Sequence, residues 1–184
     1  MVDEYAFENP PQSPFFKGGS FPNFFQLFNL PLHYAIDLNQ LADRYRELQR
    51  QVHPDRFVRA DVQAQERAIE LSSQANEAYK ILKNPVSRAI HLMECLNESI
   101  QLEGKKLSPD FLMKQMEWHE KIETWSSLNE SQRDQLRRLL QQEGENYIGQ
   151  LTAAFAQRPI DKISIEKWIN EWQFIEKLRT DLPD

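Results

Sequence analysis

Residues 37–82 read DLNQLADRYRELQRQVHPDRFVRADVQAQERAIELSSQANEAYKIL, and this stretch carries the architecture of the chain. Leu38, Leu41, Tyr45, Leu48 and Val52 recur at alternating spacings of three and four, which predicts one buried face of a helix. Asp37 is its N-cap. Pro54 lacks a backbone donor and drives the residue before it out of the α region, so the helix stops at about His53. A second helix runs from about Asp61 to Leu82, with Ala68, Leu71, Ala75, Ala78 and Leu82 on its inner side. The small alanines let two antiparallel helices approach closely. The pair reads as a helical hairpin with His53-Pro54-Asp55 at its tip.

The flanking segments are also helical. A short turn of helix, 23–29, is stopped by Pro31. Asn84 caps a further helix with Pro85 at its first position and Ala89, Leu92, Met93 and Leu96 turned inward. Residues 98–106 are polar and contain Gly104. Ser108-Pro109-Asp110 then opens another region with an N-cap followed by a proline. Helical patterns near 109–126, 130–157 and 161–180 suit a three-helix bundle. The expected layout is an all-α chain: a loosely held or docked tail over 1–22, a first domain over 23–97, a linker over 98–107, and a bundle over 108–184. If the tail docks, Phe15, Phe16 and Phe21 are its anchors.

Composition narrows the function. The net charge of −6 argues against a general nucleic-acid binder. No apolar run approaches the ~20 residues of a membrane span, and no signal peptide is visible, so the expected compartment is the cytosol. Cys95 is the only cysteine, which rules out an internal disulfide and a thiolate metal cage within one chain. His33, His53, His91 and His119 are scattered, with no metal-binding pair, Walker loop or nucleophile elbow. Neither a catalytic constellation, a metal site nor a cofactor is expected. The chain reads as a binding protein, not an enzyme, and Cys95 as an inert core thiol.

Two surfaces stand out. Between Arg44 and Arg59, five arginines face only Glu47 and Asp55, a local +3 on an acidic chain. Such a patch either steers an acidic partner or is a solvated helix face with pairs such as Asp43–Arg46. The helix from Pro109 carries two apolar faces. At ~100° per residue, Phe111, Trp118, Ile122 and Trp125 share one arc, while Leu112, Met113 and Met116 centre ~150° away beside Glu117 and Glu120. On the last helix, Ile165, Trp168, Trp172 and Ile175 point inward and Phe174 points ~140° away. A helix apolar all round is either buried on both sides or offers a docking face.

These residues resemble a known family. The first region resembles a J-domain, and the stretch 23–182 is similar to the bacterial iron–sulfur cluster co-chaperone family HscB. The resemblance rests on Leu27-Phe28-x-Leu30-Pro31, Leu48-Gln49-Arg50-Gln51-x-His53-Pro54-Asp55, and Asn76-x-Ala78-Tyr79-x-x-Leu82 leading into Pro85-x-x-Arg88-Ala89-x-x-Leu92. In the second region it rests on Phe111-Leu112-Met113 and Phe174-x-x-Lys177-Leu178. Residues 1–22 fall outside it; some relatives carry a cysteine-rich zinc-binding extension there, and this chain has no cysteine in that stretch.

The resemblance implies an L-shaped, all-α molecule, a J-domain hairpin plus a C-terminal three-helix bundle. It also implies two partners. A seventy-kilodalton heat-shock-type chaperone, HscA-like, would take His53, Pro54 and Asp55 with Arg44, Arg46 and Arg50, and its ATPase would be stimulated. Asp55 suits a charge-assisted bond to a chaperone arginine. An iron–sulfur scaffold protein, IscU-like, would take Leu112, Met113, Met116, Glu117, Glu120 and Phe174. The acidic rim is thinner than the family pattern, since Lys114, Lys121 and Thr124 stand where relatives often have acids. Two rivals remain: a general J-protein for unfolded clients, which would carry a Gly/Phe-rich or zinc-ribbon module, and a structural helical adaptor.

Overall fold

The computed structural model describes residues 23–102 and 108–182. Helices and turns carry them, with no strand among the described residues. The helices are α1 (Phe24–Leu27), α2 (Leu38–Val52), α3 (Val62–Lys83), α4 (Pro85–Cys95), α5 (Pro109–Glu123), α6 (Glu130–Ala156) and α7 (Lys162–Asp181). Two 3-10 turns, Pro54–Phe57 and Trp125–Ser127, complete the set. The expected all-α class holds. The chain forms two compact units that part inside α4, between His91 and Leu92. The tail expected over 1–22 and residues 103–107 of the expected linker lie outside the described residues.

The hairpin forms as the sequence predicts. Asp37 accepts the N–H groups of Asn39 and Gln40, at 2.8 and 3.2 Å, which starts α2. Asp61 does the same for Ala64 at 2.8 Å and starts α3. Leu41 and Val52 of α2 are buried, as are Ala64, Ala68, Leu71, Ala75, Ala78 and Leu82 of α3. Leu38 is an exception, exposed at the first position of α2. Periodicity sets the direction of a side chain but not whether a neighbour covers it.

The first short helix ends earlier than expected. Asn23 caps it through the Phe25 N–H at 2.9 Å, but it stops at Leu27. Asn29 adopts a left-handed conformation, φ 49°, and the Leu30 N–H returns to the Phe25 carbonyl at 2.8 Å. That closure terminates the helix before Pro31 can. His91 secures the other end: its Nε2 accepts the Phe24 N–H at 3.2 Å and its ring stacks on Phe24 at 4.5 Å. Beneath lies buried Arg88, which donates to the Leu82 carbonyl at 2.7 Å and sits 5.0 Å from the Tyr34 ring. Burial pushes the Tyr34 hydroxyl up to about 12, against the opposing pull of Arg88.

In the second unit α6 and α7 pack together, and α5 meets α7 through Phe111 and Phe174 and α6 through Lys114 and Glu143, with Trp118 also buried. Ser108, Asn129 and Asp161 cap the three helices, Asn129 in a reciprocal box with Gln132. Trp125, Leu140, Leu151, Ile165, Ile169, Trp172 and Ile175 fill the interior; Ile122 and Trp168 are half-buried. α5 stops at Glu123, short of the predicted 126. The Thr124 N–H turns back to the Glu120 and Ile122 carbonyls, and the following 3-10 turn keeps Trp125 buried. Residues 98–101, expected within a linker, are tied to α7. Buried Glu166 accepts the Gln101 N–H at 3.0 Å, and Lys162 lies 3.8 Å from Glu98.

Candidate functional site

The tip of the hairpin is exposed above and braced beneath. The His53 and Asp55 side chains are 58 % and 86 % exposed. His53 Nδ1 accepts the Asp55 N–H at 3.3 Å and lies 3.6 Å from the Asp55 carboxylate. With Nδ1 accepting, a neutral ring carries its hydrogen on Nε2. Pro54 opens the 3-10 turn as its first residue. Phe57 is buried below it. Arg56 reaches back to donate to the Arg50 carbonyl at 2.9 Å, meeting one of the acceptors left open at the end of α2. Gln65 on α3 donates to the Ala60 carbonyl at 3.0 Å and so ties the loop to the second helix.

Arg44, Arg46 and Arg50 are all exposed on α2. Arg46 pairs with Asp43 and Arg50 with Glu47, one turn back in each case. Exposed pairs of this kind contribute only ~0–1 kcal/mol. A partner carboxylate can therefore displace them at little cost. Both readings of the arginines, paired helix face and docking surface, are compatible with this geometry.

A polar seam between α2 and α3 supports the tip and was not foreseen. Asn76 Oδ1 accepts from the Tyr45 hydroxyl at 2.8 Å and from Gln49 Nε2 at 2.7 Å. Gln49 also accepts from the Ser72 hydroxyl at 3.1 Å, and Tyr45 stacks on Tyr79 at 4.3 Å. Gln49 and Asn76 belong to the quoted motif stretches, but their pairing across 27 residues has no local signal.

On the second unit α5 presents its second face to solvent. Leu112, Met113 and Met116 are 46 %, 64 % and 65 % exposed, while Phe111 and Trp118 behind them are buried. Glu117 and Glu120 are exposed alongside. Phe174 is half-buried, edge-on to Phe111 at 5.7 Å and to His119 at 5.6 Å. It therefore borders the patch and anchors α7 to α5 at the same time.

The two lysines that thin the acidic rim are both engaged. Lys114 lies 2.6 Å from Glu143 of α6, inside a groove of about 620 Å³ lined also by Tyr147, Lys167, Trp168 and Glu171. Lys121 stands over the Trp118 ring at 4.8 Å. Within the groove the Tyr147 hydroxyl donates to Glu171 at 3.2 Å. Burial holds the Glu171 carboxyl above its ordinary value, against the pull of Lys167. These groups pair with one another, Lys167 standing 3.9 Å from Glu171. Cys95 is half-buried, and burial, then Glu94, pushes its thiol up. Among the described residues no cluster of His, Cys, Asp and Glu stands close enough to hold a metal ion. Nor is any helix there long and apolar enough to cross a membrane.

Residues 107–182 match the family described as "HSCB C-terminal oligomerisation domain". A co-chaperone protein HscB homolog of Shewanella loihica is 35 % identical over 166 residues, covering 87 % of this chain and 95 % of that one. The chain belongs to the HscB co-chaperone family. The HscB homolog of Bordetella avium is likewise 35 % identical, over 161 residues and 95 % of its length. The structure of the HscB chaperone from Vibrio cholerae superposes with a TM-score of 0.77 at 29 % identity, covering 88 % of this chain and 95 % of that one. Human HscB shares the fold, with a TM-score of 0.79 at 22 % identity over 90 % and 82 % of the two chains. His53 and Asp55 are exposed at the hairpin tip, and Leu112 and Met113 are exposed on α5.

Proposed function

We propose that this HscB-family chain acts in iron–sulfur cluster biogenesis by joining two proteins. Its J-domain, residues 23–97, stimulates the ATPase of an HscA-like seventy-kilodalton chaperone. Its C-terminal bundle, residues 108–184, delivers an IscU-like scaffold to that chaperone. The observation that carries this reading is the His53–Asp55 turn: two exposed polar side chains on a turn braced by Arg56, Phe57 and Gln65. A preformed turn binds without the entropic cost of ordering a loop. Asp55 offers a carboxylate for an arginine of the chaperone, and His53 offers Nε2–H. Arg44, Arg46 and Arg50 steer the acidic face of the partner into register.

The scaffold half of the proposal rests on Leu112, Met113 and Met116, with Phe174 at the border and Glu117 and Glu120 on the rim. Flexible thioethers adapt to a partner surface while acids orient it. Lys114 is drawn away toward Glu143, which leaves the rim more acidic than its composition suggests. The test is an ATPase assay with the chaperone, with and without the scaffold. Synergistic stimulation supports the reading. Stimulation indifferent to scaffold supports a general J-protein instead, and none at all supports a structural adaptor. Asp55→Ala is expected to abolish stimulation with an unchanged circular dichroism spectrum; full stimulation by that variant overturns the assignment.

A further inference from the structure

The chain has four methionines, Met1, Met93, Met113 and Met116. Met93 is 0 % exposed, in contrast to the open thioethers of Met113 and Met116. The latter two lie one turn apart on α5, on the face that Phe111 and Trp118 leave outward. A thioether at the surface is reachable by two-electron oxidants, whereas one sealed in a core is protected. Cys95 is half-buried, and burial, then Glu94, pushes its thiol up, away from the reactive thiolate.

We propose that Met113 and Met116 form a reversible oxidation site through which peroxides weaken docking of the scaffold. This rests on the reading of the α5 face as the scaffold surface. In the step, the sulfur lone pair attacks one peroxide oxygen, an S–O bond forms and the O–O bond breaks. Sulfur loses two electrons, and the departing hydroxide takes up the remaining proton as water. The product sulfoxide is polar and bulkier, so covering it with an apolar partner surface costs desolvation. Glu117 and Glu120, as carboxylates on the same rim, donate no hydrogen bond to the new oxygen. Leu112 beside them supplies comparable apolar area without this chemistry, so the sensitivity belongs to the methionines.

The experiment treats the full chain with hydrogen peroxide, removes the peroxide, and maps added oxygen by peptide mass spectrometry. Calorimetric titration with the untreated scaffold protein follows. Met113 and Met116 are expected to gain oxygen before Met93, and scaffold affinity to fall about tenfold or more. Methionine sulfoxide reductase is expected to restore it. The Met113→Leu/Met116→Leu variant is expected to bind equally before and after treatment. Unchanged affinity after mapped oxidation, or an equal loss in the double variant, overturns this proposal alone. If the untreated chain does not bind the scaffold, the reading of the patch falls and this proposal with it.

Discussion

The Arg56 guanidinium donates to the backbone carbonyl of Arg50 at 2.9 Å, so the turn after α2 is fastened to the end of the helix it leaves. Arg56 counts toward the basic patch in the sequence, yet its geometry is that of a brace. Arg56→Ala is expected to cost ~1 kcal/mol of stability and to raise the concentration giving half-maximal ATPase stimulation. Maximal stimulation is expected to survive, unlike in Asp55→Ala. A titration of stimulation against chain concentration separates the two, and loss of the maximum would make Arg56 a contact residue.

Asn76 accepts from both Tyr45 and Gln49 and is the hub of the α2–α3 seam. Asn76→Ala leaves two donors without that partner and is expected to destabilise the fold by ~1–2 kcal/mol. Urea unfolding of both proteins measures it, and a midpoint equal to that of the parent would show that the seam adds no stability.

Glu171 titrates against the fold. Burial raises its carboxyl in the folded state, so the folded chain binds a proton more readily than the unfolded one. Stability therefore gains from Glu171 as pH falls through the raised folded value, and the gain is complete below the ordinary value of 4.5. Glu171→Gln is expected to stabilise most near pH ~7 relative to the parent, with the advantage shrinking on acidification. Thermal melts across that range check the difference; a constant offset would contradict it.

Phe174 serves packing and docking together, through its edge contacts with Phe111 and His119. Phe174→Ala is expected to lower bundle stability by ~1–3 kcal/mol. Met113→Ala, on the open face, should stay within ~0.5 kcal/mol. Both are expected to weaken scaffold binding in calorimetry. If only Phe174→Ala did so, the effect would belong to bundle integrity.

Gly149 lies exposed within α6, and a Cβ built there meets nothing within 4 Å. Gly149→Ala is expected to raise stability by ~0.5–1 kcal/mol through lost backbone freedom in the unfolded chain. Denaturant unfolding gives the sign directly.

Local rules carried the helical layout and the two exposed surfaces. Asp37 and Asp61 cap where a short acceptor precedes an apolar repeat, and Pro54 ends α2 whatever surrounds it. The alanine stripe of α3 is buried because its period of three and four leaves it one face to hide. The outward set of α5, Leu112, Met113 and Met116, follows from the same rotation per residue. Contacts between distant residues obey no such rule. Arg56 turning to Arg50, Gln49 meeting Asn76, Lys114 withdrawing to Glu143 and Glu166 holding Gln101 each depend on where folding brings a partner. The sequence names the groups able to bond; packing chooses among them, because a polar side chain settles on whichever partner the assembled helices place within reach.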